Sequence, residues 1–192
     1  MAQAWLVVGL GNPGPDYART RHNVGAMALA ELERRAGATR KRHGRADALV
    51  AESRVVGGPK VVTAFPQPYM NRSGGPVAKL MDWYGVDAEH VIVLHDDLDL
   101  PLGALRLKQG GGHGGHNGLR DIIAARGAEF LRVRIGIGRP PGRQDPADFV
   151  LRPFGASERD EVDIVVQEAA DAVERIIAEG FLAAQQRIHA PS

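Results

Sequence analysis

His22 is the residue of this chain best suited to acid–base chemistry near neutral pH, where an imidazole can be neutral and accept a proton from water. It lies in Gly9–Gly25, GLGNPGPDYARTRHNVG, together with Asn12, Tyr17, Arg21 and Asn23. A histidine base needs a group on its far ring nitrogen, and a carboxylate is the usual one. Asp96, in the run His95-Asp96-Asp97-Leu98-Asp99, is a plausible partner, and Asn12 and Asn23 could bond a substrate or the ring. Two further polar clusters could converge on the same rim: Pro66–Gly74, with Tyr69, Met70 and Asn71, and Gly110–Gly118, with His113, His116 and Asn117. Asn71 could close a turn or offer a paired donor and acceptor to an amide-like ligand, and Asn117 could cap a helix or reach a ligand. Tyr69 and Met70 read either as core residues or as walls of an apolar pocket.

Gly9-x-Gly11-x-x-Gly14 matches the dinucleotide-binding fingerprint, but the match fails physically. That motif needs a helix opening at about its second glycine, with free N–H groups aimed at a pyrophosphate. Pro13 and Pro15 remove donors there and favour a turn. The Gly110 run lacks the Gly-Lys-Ser/Thr ending of a phosphate loop. Asp96, Asp97 and Asp99 could hold Mg²⁺, and His113 and His116 could add ligands for a transition metal. No complete ligand set at a known spacing accompanies them.

These clusters sit where strands end or helices begin. Trp5–Leu10, Ala48–Val56, Lys60–Phe65, Val91–His95, Ala104–Lys108 and Leu131–Gly138 read as strands, the second and third paired around Gly57-Gly58-Pro59. Leu131–Gly138 sets an apolar face against Arg132, Arg134 and Gly136. Val24–Ala36, Pro76–Tyr84, Asn117–Arg126 and Phe181–Ile188 read as helices. A longer one carries Val162, Val165, Val166, Ala169, Val173 and Ile176 as one stripe, with a capping box at Ser157 and Asp160. Strands and helices in this order predict one α/β domain with helices on both faces of the sheet.

At 192 residues the chain can bury a sizeable single core, and with no cysteine it has neither disulfides nor a thiolate nucleophile. Neither a signal peptide nor a membrane-spanning run is expected. The net charge of +1 hides an asymmetry. Arg34–Arg45 and Arg132–Arg152 are basic stretches, whereas Glu158–Glu179 is largely acidic. One basic face suits a polyanionic partner; the alternative is a solvated surface balanced by the acidic helix. The residues alone therefore reach a hydrolase-like site with a histidine base, a carboxamide-lined pocket and a basic approach, its reaction class open.

GLGNPGPDYARTRHNVG, QPYMNRSG, HDDLDLPLG and KQGGGHGGHNGLRDI, followed by RVRIGIGRP and DFVL, resemble in order the motifs of bacterial peptidyl-tRNA hydrolases. The resemblance extends from the first strand to about Leu151. It implies a monomeric single domain over residues 1–192, an α/β fold with a twisted mixed sheet flanked by helices on both faces, and no metal or organic cofactor. It implies a cytoplasmic enzyme that cleaves the ester between a peptide and the 3′ end of tRNA, freeing the tRNA for reuse in translation. His22 would be the general base, Asp96 would stabilise its working form, and Asn12 would position substrate and separate blocked peptidyl esters from free aminoacyl esters. Tyr17, Tyr69, Asn71 and Asn117 would line the site, Met70 border it, and His116 support the Gly-rich loop. Lys108 and Arg134 match positions of tRNA phosphate contact. Three residues depart from the family pattern: Tyr69 for Phe, Arg72 for an apolar residue, and Asp97 for Glu. The rival functions are a non-catalytic RNA-binding protein on the same scaffold, as in similar organellar splicing factors, and a metal-dependent hydrolase using Asp96, Asp97 and His113.

Overall fold

Along Trp5–Gly9 (β1) the apolar side chains alternate between two cores: Val7 joins one, Leu6 and Val8 the other. The computed structural model describes residues 3–55 and 57–190. After β1 come Val24–Ala36 (α1), Lys41–Arg42 (β2), Ala48–Arg54 (β3), Lys60–Pro66 (β4), Gly74–Tyr84 (α2) and Val91–Asp97 (β5). Leu105–Gln109 (β6), Asn117–Arg126 (α3), Leu131–Gly136 (β7), Pro146–Val150 (α4), Arg159–Glu179 (α5) and Phe181–His189 (α6) complete the described elements. Among these residues no helix is long and apolar enough to cross a membrane.

The strands form one mixed sheet in the order β2-β3-β4-β1-β5-β7-β6. β4, β1, β5 and β7 are parallel, whereas β2 and β3 extend one edge and β6 closes the other in antiparallel register. Helices cover both faces, as expected: α1, α5 and α6 bury one core, α2 and α3 the other. On α5 the stripe Val162, Val165, Ala169, Val173 and Ile176 is buried; each of its valines and its isoleucine stabilises the fold by about 1.5–3 kcal/mol.

β1 hydrogen-bonds to β4 on one side and β5 on the other. α1 leaves β1 toward one face, and α2, which links β4 to β5, covers the opposite face. Such a reversal opens a crevice outside the carboxyl ends of the strands. Gly9-x-Gly11-x-x-Gly14 lies before it, and the helix opens only at Val24, ten residues past the last of those glycines, so the turn does not run into the N-terminus of α1.

Several local expectations are corrected. The strand drawn to Val56 ends at Arg54, and Val56 itself lies outside the described residues. His116, not Asn117, caps α3: its Nδ1 accepts from the N–H groups of Gly118 and Leu119 at 3.1 and 3.2 Å. Ser157 and Asp160 form no capping box; Glu158 accepts from the Gly155 N–H at 2.7 Å and the helix begins at Arg159. Arg132, read as solvent-facing from its alternation, is fully buried. Its guanidinium bonds the carbonyls of Gly112, Gly111 and Ala128 and lies 4.5 Å over the Phe130 ring. β2 and α4 are too short, at two and five residues, to leave a periodic signal.

Candidate active site

The carboxyl end of β5 delivers Asp96, 3% exposed, between two imidazoles. Its Oδ2 lies 2.8 Å from His22 Nδ1 and its Oδ1 2.8 Å from His116 Nε2. An ionised carboxylate only accepts, so both nitrogens carry protons. The assignment is independent at His116, where Nδ1 already accepts from the α3 backbone. At His22 it leaves Nε2 as a lone pair with no hydrogen bond among the described residues. Burial lowers the His22 pKa, but the charge and hydrogen bond of Asp96 outweigh it, and the net shift is upward from 6.5. Burial raises the Asp96 pKa, yet the charges and hydrogen bonds of His22 and His116 hold it well below the usual carboxylate range.

The loop before α1 is built to hold His22 there. Arg21 lies 4.2 Å over the Phe149 ring and bonds the carbonyls of Arg152 and Pro153 and the Glu158 carboxylate. It is therefore a buried staple to the chain around α4, not a substrate contact. Asn23, expected to face substrate or the ring, instead clasps the Asn12 backbone: its Oδ1 accepts from the Asn12 N–H and its Nδ2 donates to the Asn12 carbonyl, both at 2.9 Å. Asn12 Oδ1 accepts from the Met70 N–H at 2.7 Å, which joins the β1 loop to the turn after β4. Asn12 Nδ2 has no partner among the described residues.

His22, Asp96, His116, Asn117, Lys108 and Arg134 line one cavity of about 500 Å³. Tyr17 and Tyr69 meet edge to face with ring centroids 6.0 Å apart, Tyr69 being 61% exposed. Met70 is buried beside Gly118, where a Cβ would come within 2.7 Å of its sulfur. Asn71 is exposed on the turn after β4 and, like Asn12, Tyr17, Tyr69 and Met70, is not part of the cavity lining. Arg134 Nε donates to Asp97 at 2.8 Å and Arg139 to Asp99, so the acidic run is consumed by arginines. The group within ligand reach of itself is His22, Asp96 and His116, not Asp96, Asp97 and His113. Its two histidines differ: His116 has both ring nitrogens engaged, and only His22 keeps a free one.

A family model described as peptidyl-tRNA hydrolase matches residues 6–192. Peptidyl-tRNA hydrolases from Leifsonia xyli subsp. xyli and Kineococcus radiotolerans are 57% and 56% identical to this chain, covering 98% and 100% of it and the same shares of their own lengths. In three dimensions it is similar to the peptidyl-tRNA hydrolase of Acinetobacter baumannii, with a TM-score of 0.92 and 37% identity over 99% of this chain and 96% of that one. The chain belongs to the peptidyl-tRNA hydrolase family.

Two cavity residues of this peptidyl-tRNA hydrolase family member escape sequence reasoning. His95 is fully buried; its Nδ1 donates to the Asp96 carbonyl at 2.8 Å and its Nε2 has no partner among the described residues. Burial and the neighbouring His116 push its pKa down to about 4. Its only sequence signal is adjacency to Asp96. Arg132 braces the Gly-rich loop from below, and alternation alone cannot separate a solvent-facing from a loop-covered arginine.

Proposed function

We propose that this chain hydrolyses the ester joining a peptide to the 3′ end of tRNA, with His22 as the general base. The observation that carries the reading is the His22 Nδ1–Asp96 hydrogen bond at 2.8 Å, which leaves Nε2 as the lone pair on a cavity also lined by Lys108 and Arg134. Nε2 takes a proton from water as its oxygen attacks the ester carbonyl. The carbonyl oxygen becomes an oxyanion, and the imidazolium is stabilised by the Asp96 charge. Collapse breaks the bond to the ribose oxygen, which receives the proton from His22. The products are a peptide carboxylate and free tRNA.

Asn117 and Asn71 are the candidate amide donors for the oxyanion and the peptide backbone. Asn12, with Oδ1 spent on Met70, presents Nδ2 to the substrate and separates blocked from free aminoacyl esters. Tyr17, Tyr69 and Met70 wall the peptide side, and His116 holds both Asp96 and the Gly-rich loop. Lys108 supplies the uncompensated charge for tRNA phosphate, and Arg134 adds to it across its Asp97 pair. The enzyme acts as a cytoplasmic monomer without a metal or organic cofactor. In a peptidyl-tRNA turnover assay, His22→Ala loses at least about 100-fold in kcat while tRNA affinity is retained. Near-normal turnover overturns the base assignment.

A further inference from the structure

The basic stretch Arg34–Arg45 divides when its partners are traced. Arg34 pairs with Glu31, Arg35 with Asp171 and Glu174, Arg40 with Glu33, and Arg42 with Asp47. Lys41 and Arg45 have no carboxylate partner among the described residues. Both line a second cavity of about 660 Å³ at the β2–β3 edge, separate from the catalytic one. Its aromatic wall is the end of α2. Trp83 is 58% exposed there, far more than a core indole. The Arg45 guanidinium lies 5.9 Å from its ring, and the His43 ring meets it edge-on at 5.1 Å. His43 Nδ1 accepts from the Arg45 and Ala46 N–H groups, so the loop carrying Arg45 is held in shape. Glu52, the acidic residue of the lining, is already paired with Lys60.

An exposed indole flanked by uncompensated cations is the arrangement that takes an unpaired nucleotide: the base stacks on the ring and the phosphate meets the cations. The Gln67 N–H donates to the Asp47 carbonyl at 2.9 Å, which couples the Arg42–Asp47 loop to the segment bearing Tyr69. β2 is four strands from β5, about 19 Å at the usual strand spacing, on the side opposite Lys108 and Arg134. We infer that this groove is a second RNA-binding site, holding an unpaired nucleotide of the tRNA on Trp83 with its phosphate between Lys41 and Arg45. The inference rests on the proposed substrate, peptidyl-tRNA, and gives that substrate a contact on each flank of the cleft.

The test compares Trp83→Ala and Lys41→Glu with the unmodified protein, using deacylated tRNA for binding and two esters for turnover. The esters are full-length peptidyl-tRNA and an N-acetylaminoacyl ester of adenosine, which is too short to reach the groove. Both side chains lie outside the cores, so the fold is retained. We expect tRNA affinity to fall about tenfold in Trp83→Ala and the salt dependence to flatten by about one unit of slope in Lys41→Glu. KM for peptidyl-tRNA rises in step, while kcat and turnover of the adenosine ester are unchanged. In Trp5→Phe, Trp83 is the only remaining indole of the chain's two, and its fluorescence is quenched by tRNA. Unchanged tRNA affinity in both variants overturns the proposal, as does an equal loss on the adenosine ester. Trp83 fluorescence that ignores bound tRNA also overturns it and leaves the groove to a protein partner. An unmodified protein that binds tRNA through Trp83 yet cleaves neither ester supports the groove and overturns the hydrolase reading alone.

Discussion

Asp96 spends both carboxylate oxygens on imidazoles, and this fixes what a substitution there must do. Asparagine has one acceptor oxygen for two N–H donors. His116 cannot change its tautomer without giving up the α3 cap, so the amide oxygen goes to His116 and the amide NH₂ faces His22 Nδ1. His22 then carries its proton on Nε2, where the base needs a lone pair. Asp96→Asn is therefore expected to lower kcat by about a thousandfold or more. The sign of the accompanying pH effect is set by His22, which works only when neutral, so activity rises with pH through its raised pKa. Without the Asp96 charge the burial effect remains alone, and the acid limb of the kcat profile moves to lower pH. A limb that stays in place would show that Asp96 does not govern His22.

At the scale of elements, the distance between His22 and Asp96 is the distance between the entry of α1 and the end of β5. Gly25 sets it. A Cβ at Gly25 would run into the Leu94 carbonyl oxygen and crowd the His95 backbone, so only glycine lets the helix lie this close to the strand. Gly25→Ala must push α1 outward. The expected stability cost is about 1–3 kcal/mol, read from urea unfolding. The activity cost is larger, about 100-fold for a displacement near 1 Å, because Arg21 and Asn23 move with His22. Loss of stability with full activity would show that the site tolerates the shift. The Asn12–Asn23 clasp works the same way, tying the end of β1 to the residue after His22.

Across the whole molecule, histidines with displaced pKa values make stability depend on pH in opposite senses. His95 has a folded pKa of about 4 against 6.5 for the ordinary side chain. Between those values the unfolded chain binds a proton that the folded one excludes, so stability falls as pH falls through that window. His189 shifts the same way: burial, Arg106 and Arg134 lower its pKa while its Nε2 accepts from the Leu107 N–H. That bond, with Gln185 Nε2 donating to the Leu107 carbonyl at 3.0 Å, docks α6 on the β6 edge and covers backbone that would otherwise be free to pair. His22 is the reverse case. Its contribution is complete below pH 6.5 and is lost as pH rises through its raised folded value. Urea midpoints are accordingly expected to drop between pH 6.5 and 4.5, with a smaller drop in His95→Gln. A midpoint flat across that range contradicts the buried, neutral assignment.

The helices Val24–Ala36 and Asn117–Arg126, the antiparallel pair around Gly57-Gly58-Pro59 and the stripe of the long C-terminal helix were legible in the chain because each rests on local periodicity or turn chemistry. So was the His22–Asp96 pairing as a chemical requirement, since a base wants a carboxylate. Which side chains face substrate was not legible. Arg21, Asn23 and Arg132 look like binding residues by type, yet each is buried and bonds other parts of the chain, a fact set by packing partners up to 137 residues away. The division of the basic stretch into paired arginines and the open Lys41–Arg45 groove likewise depends on where acidic side chains of α1, α5 and the β2–β3 loop fall in space. Residue types, the longer elements and their order are legible along the chain. Which charges cancel and which remain free is settled in full by the fold, because burial and most of the Coulomb pairing depend on distances between residues far apart in the chain.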